Sequence, residues 1–398
     1  MRPIKRSAKV RAWLAGGALF TCCLASAEAG AQYRLRADAY AAAADPMTGF
    51  VMLSSEARQQ TWADAEAVMW LGTGDYRGDV MVASIRVHDP SNYIEGRLGR
   101  QMLISGGLRP VHFDGAQVTA RAPWGTSVTA FGGMPVAPTY DARDFDWAVG
   151  GRLGQRISNY GALGVSYLHM RHTGAVTYEA VGLDAAASPV RWLDAAFSGS
   201  VDLVSPALAD ARVSLATRFW KMRLELFGIR RSPSHLLPAT SLFSALGDIP
   251  SQRAGGALSW QAAPRLDILG EGAAESLGGE LASRGMLRAT LRLDDRGDGA
   301  LMLEGRRESI PNDNSWTGVR ATARIPLGSM FVASTELELV MPDDPRGRGK
   351  LWPWGLVALR WKPLKAWEVA GAAEASASPT AVSSVSGLLR VAYVWSNR

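Results

Sequence analysis

The sequence predicts an all-β fold: a single transmembrane, antiparallel, up-and-down β-barrel of about 18 to 22 strands, 22 as the best count, behind a cleaved signal peptide. Three observations predict it. Stretches of about ten residues alternate apolar and polar side chains from Tyr33 to the C-terminus, which means two faces in two solvents. Short turns and long loops sort to opposite ends of those stretches. A basic, then apolar, then small-residue segment precedes the first of them.

That leading segment is residues 1–31. Arg2, Lys5, Arg6, Lys9 and Arg11 form its basic part, and Ala12–Leu24 its apolar part. The apolar part is too short to span a bilayer. Small-residue sites follow at Ala25-Ser26-Ala27 and Ala29-Gly30-Ala31, and cleavage is expected after Ala31. Residues 32–398 then form the barrel domain. Cys22 and Cys23, the only cysteines, leave with the leader, so the mature chain holds no disulfide, thiolate metal site or cysteine nucleophile. Of 43 basic and 37 acidic residues, five and one lie in the leader, leaving 38 against 36. The remaining basic residues are spread singly, which excludes a nucleic-acid footprint.

The strands are expected, in order, near Tyr33–Ala42, Phe50–Ala57, Thr61–Leu71, Asp79–His88, Tyr93–Ser105, Val111–Ala122 and Ser127–Val136. Next come Asp146–Arg156, Gly161–Thr173, Ala175–Ala187, Val190–Val204, Ala211–Phe219 and Met222–Arg230. The last set is Gln252–Ala262, Leu266–Ala274, Glu280–Leu293, Gly299–Ser309, Trp316–Ile325, Ser329–Val340, Leu351–Trp361, Trp367–Ser376 and Val385–Asn397. Each has the length a tilted membrane strand needs. Counting back from the C-terminus, the turns expected in the periplasm are all short, among them Pro363–Ala366, Pro326–Gly328, Trp220–Lys221 and Ser188–Pro189. The opposite set holds the long connections Arg231–Ser251, Pro342–Lys350 and Ala137–Phe145.

Alternation assigns the faces. Arg284, Arg288 and Arg292 oppose Leu287, Ala289 and Leu291; Glu304 and Arg306 oppose Leu301 and Leu303. Arg320 and Arg324 oppose Val319 and Ala323, and Glu336 and Glu338 oppose Leu337 and Leu339. A sheet this wide cannot fill its interior with apolar side chains, so the charges belong in a wet lumen and the apolar residues against lipid. The expected lumen-lining residues are therefore Arg288, Arg292, Glu304, Arg306, Arg320, Arg324, Glu336, Glu338, Arg360, Glu374 and Arg390. Arginine rings favour anions and glutamate rings cations, while pairs across strands merely keep a lumen wet. Ten tryptophans near strand ends (62, 124, 147, 192, 220, 352, 354, 361, 367 and 395) are expected at the headgroup level.

No enzyme is expected. His169 and His172 point to opposite faces of one strand, no spacing singles out a Ser–His pair, and no cofactor or metal is implied. With strands starting at the cleavage site, no room for an N-terminal plug is expected. The loop Arg231–Ser251, with Leu236, Leu237, Leu242, Phe243 and Leu246, is apolar enough to fold inward or pack on the rim.

One stretch carries a resemblance. Gly99-Arg100-Gln101, the gap Ser105-Gly106-Gly107, and Phe113-Asp114-Gly115 resemble a strand end, loop and strand start of the alginate-export type outer-membrane barrels. The resemblance implies a passive, substrate-conducting barrel. On the residues themselves, Arg100 is expected to hydrogen-bond Asp114. The functional expectation is a porin-like channel or exporter in a bacterial outer membrane, passing small polar or anionic solutes by diffusion. The alternative is a barrel without transport, serving as a surface scaffold. Outer-membrane lipid and a small-molecule solute are the expected partners; nucleic acid is not.

Overall fold

The computed structural model describes residues 32–397, apart from 44–47, 60–61, 73–77, 137–145, 237–249, 278, 296, 312–314, 346–348 and 378–383. The expected leader and most of the loop Arg231–Ser251 lie outside the described residues.

The chain forms one closed antiparallel sheet of 22 strands. Each strand pairs with the next, and the last pairs with the first: β22 (Ser384–Ser396) meets β1 (Gln32–Ala43) from Arg34 opposite Ser396 to Ala43 opposite Gly387. Closure leaves the wall without an edge, which is what a hydrocarbon phase demands of backbone polar groups. Taking about 4.8 Å between strands and a tilt of about 40°, such a barrel is roughly 40 Å across at the backbone.

Two details depart from the sequence reading. Ser188–Pro189 is not a turn. Strand β10 (Ala175–Val190) runs through it, with a register shift between Ala187 and Val190, and the chain reverses at Arg191–Trp192. Proline has no N–H to give the ladder, and the irregularity accommodates it. A short helix, Pro233–Leu236, also stands just past the thirteenth strand, Met222–Arg231.

Contacts between distant strands show which face is concave. Ser105, just after β5 (Ile94–Leu103), hydrogen-bonds Ser166 of β9 (Gly161–His172) at 3.2 Å. A group can meet a strand four places round a closed wall only across the inside. Ser166, Leu168 and Met170 therefore point inward. Leu163, Val165 and Tyr167, with the other parity, are exposed on the outside. Register carries the assignment round the wall through Ser166 opposite Gly182 and Gly182 opposite Ser200. The result is an apolar outer band around a charged inner surface.

Candidate functional site: the charged inner wall

Four neighbouring strands build the densest part of this surface: β16 (Glu280–Arg292), β17 (Ala300–Ser309), β18 (Trp316–Leu327) and β19 (Phe331–Pro342). Their registers set Arg288 opposite Glu304, Glu304 opposite Arg320, and Arg320 opposite Glu338. One row thus alternates in sign across four strands. Opposite charges at directly facing positions stabilise a sheet by about 0.2–1 kcal/mol each. Glu304, 1% exposed, accepts from Arg288 Nε at 2.5 Å and from Arg306. Arg306 also approaches Glu338 at 3.8 Å, and Arg320 pairs with Glu336.

A second network closes the seam. Arg390 of β22 donates through Nη2 to Asp38 of β1 at 2.6 Å and through Nη1 to Glu368 of β21 (Trp367–Ser376) at 2.9 Å. Arg36 donates to the same Asp38, and Lys362 lies 3.3 Å from Glu368. Arg292 pairs with Asp267 at 3.1 Å. Glu374 has no cationic partner among the described residues and accepts from Ser386 Oγ at 2.7 Å. Arg324 and Arg360 have no ion pair among the described residues, although both share the inner parity with Arg320 and Glu338. All eleven residues singled out from the sequence thus lie on one face, seven of them within two networks.

Asp38 and Glu368 complete the seam network and Asp267 pairs with Arg292; all three acids escaped the sequence reading. Asp38 had a signal: it alternates with Arg34, Arg36 and Tyr40 in β1.

A larger feature also escaped it. The connection 104–110, between β5 and β6 (Val111–Arg121), folds into the barrel and packs on β9, β10 and β11 (Leu193–Asp202). Small inner residues make its seat. A Cβ added to Gly182 would come 3.0 Å from Leu108 Cγ, closer than ordinary contact, so glycine gives that side chain a close seat. Gly106 adopts φ 53°, a left-handed conformation open to glycine. Leu108 joins Leu103, Phe113, Phe131, Leu168 and Met170 in a buried cluster on the inner face. Arg109 stacks its guanidinium 4.4 Å over the Tyr178 ring, where burial lowers its pKa. The loop Arg231–Ser251, expected from its apolar content to fold inward or pack on the rim, lies mostly outside the described residues. The connection 104–110 enters through small residues, the Ser105-Gly106-Gly107 run.

Outward features differ in kind. Arg100 grips Asp114 with Nε at 2.7 Å and Nη2 at 2.9 Å, and reaches Asp79 with Nη1 at 3.1 Å. Asp114 stands opposite Met134, an exposed outer residue, so this fork lies on the outer side of the wall. Trp361 stacks on Phe331 and Trp367 packs on Tyr393 outside the barrel near the short turns. Trp352 and Trp354 do not belong to that belt. Trp354 faces Glu338 and Trp352 faces Val340, which puts both indoles on the inner face. An open recess of about 360 Å³ on the outer face is lined by Leu291, Leu301, Leu303 and Leu337 around Ala321 and Ala323. It is a surface for hydrocarbon, remote from the charged face. No group of three His, Cys, Asp or Glu placed to hold a metal occurs among the described residues.

No protein-family model matches the chain, and no curated protein does. Among solved structures it is similar to the siderophore receptor PirA from Pseudomonas aeruginosa, with a TM-score of 0.58 and 7% identity over 92% of this chain and 80% of that one. Pseudomonas aeruginosa OccK3 (OpdO) gives 0.43 and 12% identity over 96% and 100%. The P pilus usher (PapC) translocation pore gives 0.44 and 10% over 91% and 99%. The likeness to PirA is one of fold: the chain is a β-barrel of the outer-membrane kind.

Proposed function

We propose that this protein is a channel in a bacterial outer membrane through which small polar or anionic solutes diffuse. The observation that carries this reading is the alternating row Arg288, Glu304, Arg320, Glu338 on the inner wall of a 22-strand barrel. Charges of both signs on a concave surface need water beside them, and a barrel of this width has room for it. Paired charges hold one another in place, so the wall offers fixed polar positions along which a hydrated solute exchanges partners. The inward connection 104–110 occupies one side of the interior and leaves the charged strands on the other as the conducting wall. Residues 1–31 act as the secretory leader, and the short-turn end lies in the periplasm. The stretch resembling alginate-export barrels contributes through the Arg100–Asp114 fork, a clamp on the outer side of the wall. That position supports a structural role for it rather than contact with a polysaccharide.

Single-channel recording on the purified protein in planar bilayers tests this reading. Stepwise conductance is expected. Bilayers that stay silent at protein densities where barrel insertion is verified would favour the scaffold reading instead.

A further inference from the structure

We propose that the lumen is electrically polar along its axis, capturing anions at the short-turn mouth and cations at the long-loop mouth, and that it therefore rectifies ionic current. This rests on the channel reading and adds a direction to it.

Most inner-face charges are taken up in pairs, so the few that are not decide the field. The side chains of four inner-face arginines make neither an ion pair nor a hydrogen bond among the described residues: Arg34, Arg156, Arg324 and Arg360. Each shares its parity with an inward residue. Arg34 alternates with Arg36 and Asp38, Arg156 with Arg152 and Gly154, Arg324 with Arg320, and Arg360 with Trp354. Every one lies within four residues of the short-turn end of its strand. The inner-face acids shown without a cationic partner among the described residues are Glu275, Glu308 and Glu374, each within two residues of the long-loop end. Glu275 faces Arg253, which pairs with Glu271 instead, and Glu308 faces Arg284, which also turns to Glu271. The short turns change the balance little: Arg191, Lys221 and Lys365 are offset in part by Asp89 and Asp298.

Arg324 and Glu308 show the separation. Arg324 stands opposite Ala300, at the far end of β17 from Glu308. The strand between them spans roughly 26 Å at about 3.3 Å per residue. That exceeds the Debye length of about 10 Å at 0.1 M salt, so the two mouths act as separate rings of opposite sign. A basic ring admits anions and an acidic ring admits cations. When the long-loop side is positive, cations enter through the acidic mouth and anions through the basic one, and both accumulate in the lumen. With the opposite bias both are drawn out and the lumen is depleted.

The test is the current–voltage curve of single channels in symmetric KCl. Orientation is read from Lys365→Cys, which supplies the only thiol in residues 32–398, by its reaction with a membrane-impermeant reagent on one side. At 0.01–0.1 M KCl, current with the long-loop side positive should exceed the reverse current by about twofold or more, and the ratio should fall towards one in 1 M KCl, where the Debye length is about 3 Å. Arg324→Gln with Arg360→Gln should lower the ratio, and Glu275→Gln with Glu308→Gln should lower it independently. A linear curve at low salt, rectification of the opposite sign, or a ratio unmoved by both pairs of substitutions in channels of normal conductance would overturn the proposal. Absence of any channel would instead overturn the channel reading on which it stands.

Discussion

Leu303 and Glu304 are adjacent in β17, yet Leu303 is 58% exposed and Glu304 is 1% exposed. The glutamate is buried between Arg288 and Arg306 on the inner wall, while the leucine borders the outer apolar recess. A single residue step crosses from one solvent to the other.

The same substitution on either side of that step should therefore have opposite outcomes. An arginine facing lipid near the midplane costs roughly 2–4 kcal/mol. Leu303→Arg is expected to impair barrel assembly, whereas Met302→Arg, one residue away on the inner face, is tolerated. Heat-modifiable migration on gels and recovery from the membrane fraction distinguish them. Equal tolerance would show that the outer band does not meet hydrocarbon.

Asp38 is 1% exposed and accepts from both Arg36 and Arg390. Removing a buried acceptor leaves its donors unsatisfied, at about 1–3 kcal/mol. Asp38→Ala should lower the thermal unfolding midpoint in detergent, and Asp38→Asn should recover part of the loss. An unchanged midpoint in Asp38→Ala would show that the seam is held by backbone pairing alone.

Gly182 seats Leu108 so closely that an added Cβ would come 3.0 Å from its Cγ. Gly182→Val should lift the connection 104–110 off β10 and break the hydrogen bond between Ser105 and Ser166. Single-channel conductance is expected to rise, because the interior gains the volume the connection held. Unaltered conductance would mean that this connection does not narrow the path.

Asp343 lies just past β19, where hydrogen bonds from Arg307 hold its carboxylate below the ordinary value. A carboxyl whose folded pKa is lowered stabilises fully above its unfolded value, about 3.9, and loses that stabilisation as pH falls through the lowered folded value. The Asp343 amide, which donates to Ser315 O at 2.9 Å, should therefore exchange faster, relative to its intrinsic rate, only below about pH 4. Asp343→Asn should abolish that acid-dependent step. A step persisting in Asp343→Asn would assign it to another group.

The strand number, the closure and the two faces were legible in the sequence because alternation has a period of two, and each strand repeats it with its own short turn. The inner-face residues Arg288 to Arg390 followed from the same parity. What alternation cannot carry is partner choice. That Arg390 bonds Asp38, and that Arg324 and Arg360 bond no acid among the described residues, depends on register between strands. Trp352 and Trp354 illustrate a second limit. Nearness to a loop suggested a headgroup position, but parity with Glu338 turns both indoles inward. The inward connection was hidden for a third reason: its seat at Ser166, Gly182 and Ser200 is assembled from three strands and is recognisable only by the side-chain volume it lacks.

The seam between β1 and β22 sets a kinetic order on assembly. Twenty-one of the 22 joints in the wall link consecutive strands, whereas this one joins positions 352 residues apart, as Asp38 and Arg390 are. Closure entropy grows as the logarithm of loop length, so the seam bears roughly 3 kcal/mol more than a ten-residue hairpin. Its ten paired positions, and the ion pairs above them, have to offset that penalty in one step. Until they do, every intermediate carries two open strand edges, so the joint made last is the one that converts an aggregation-prone sheet into a sealed wall.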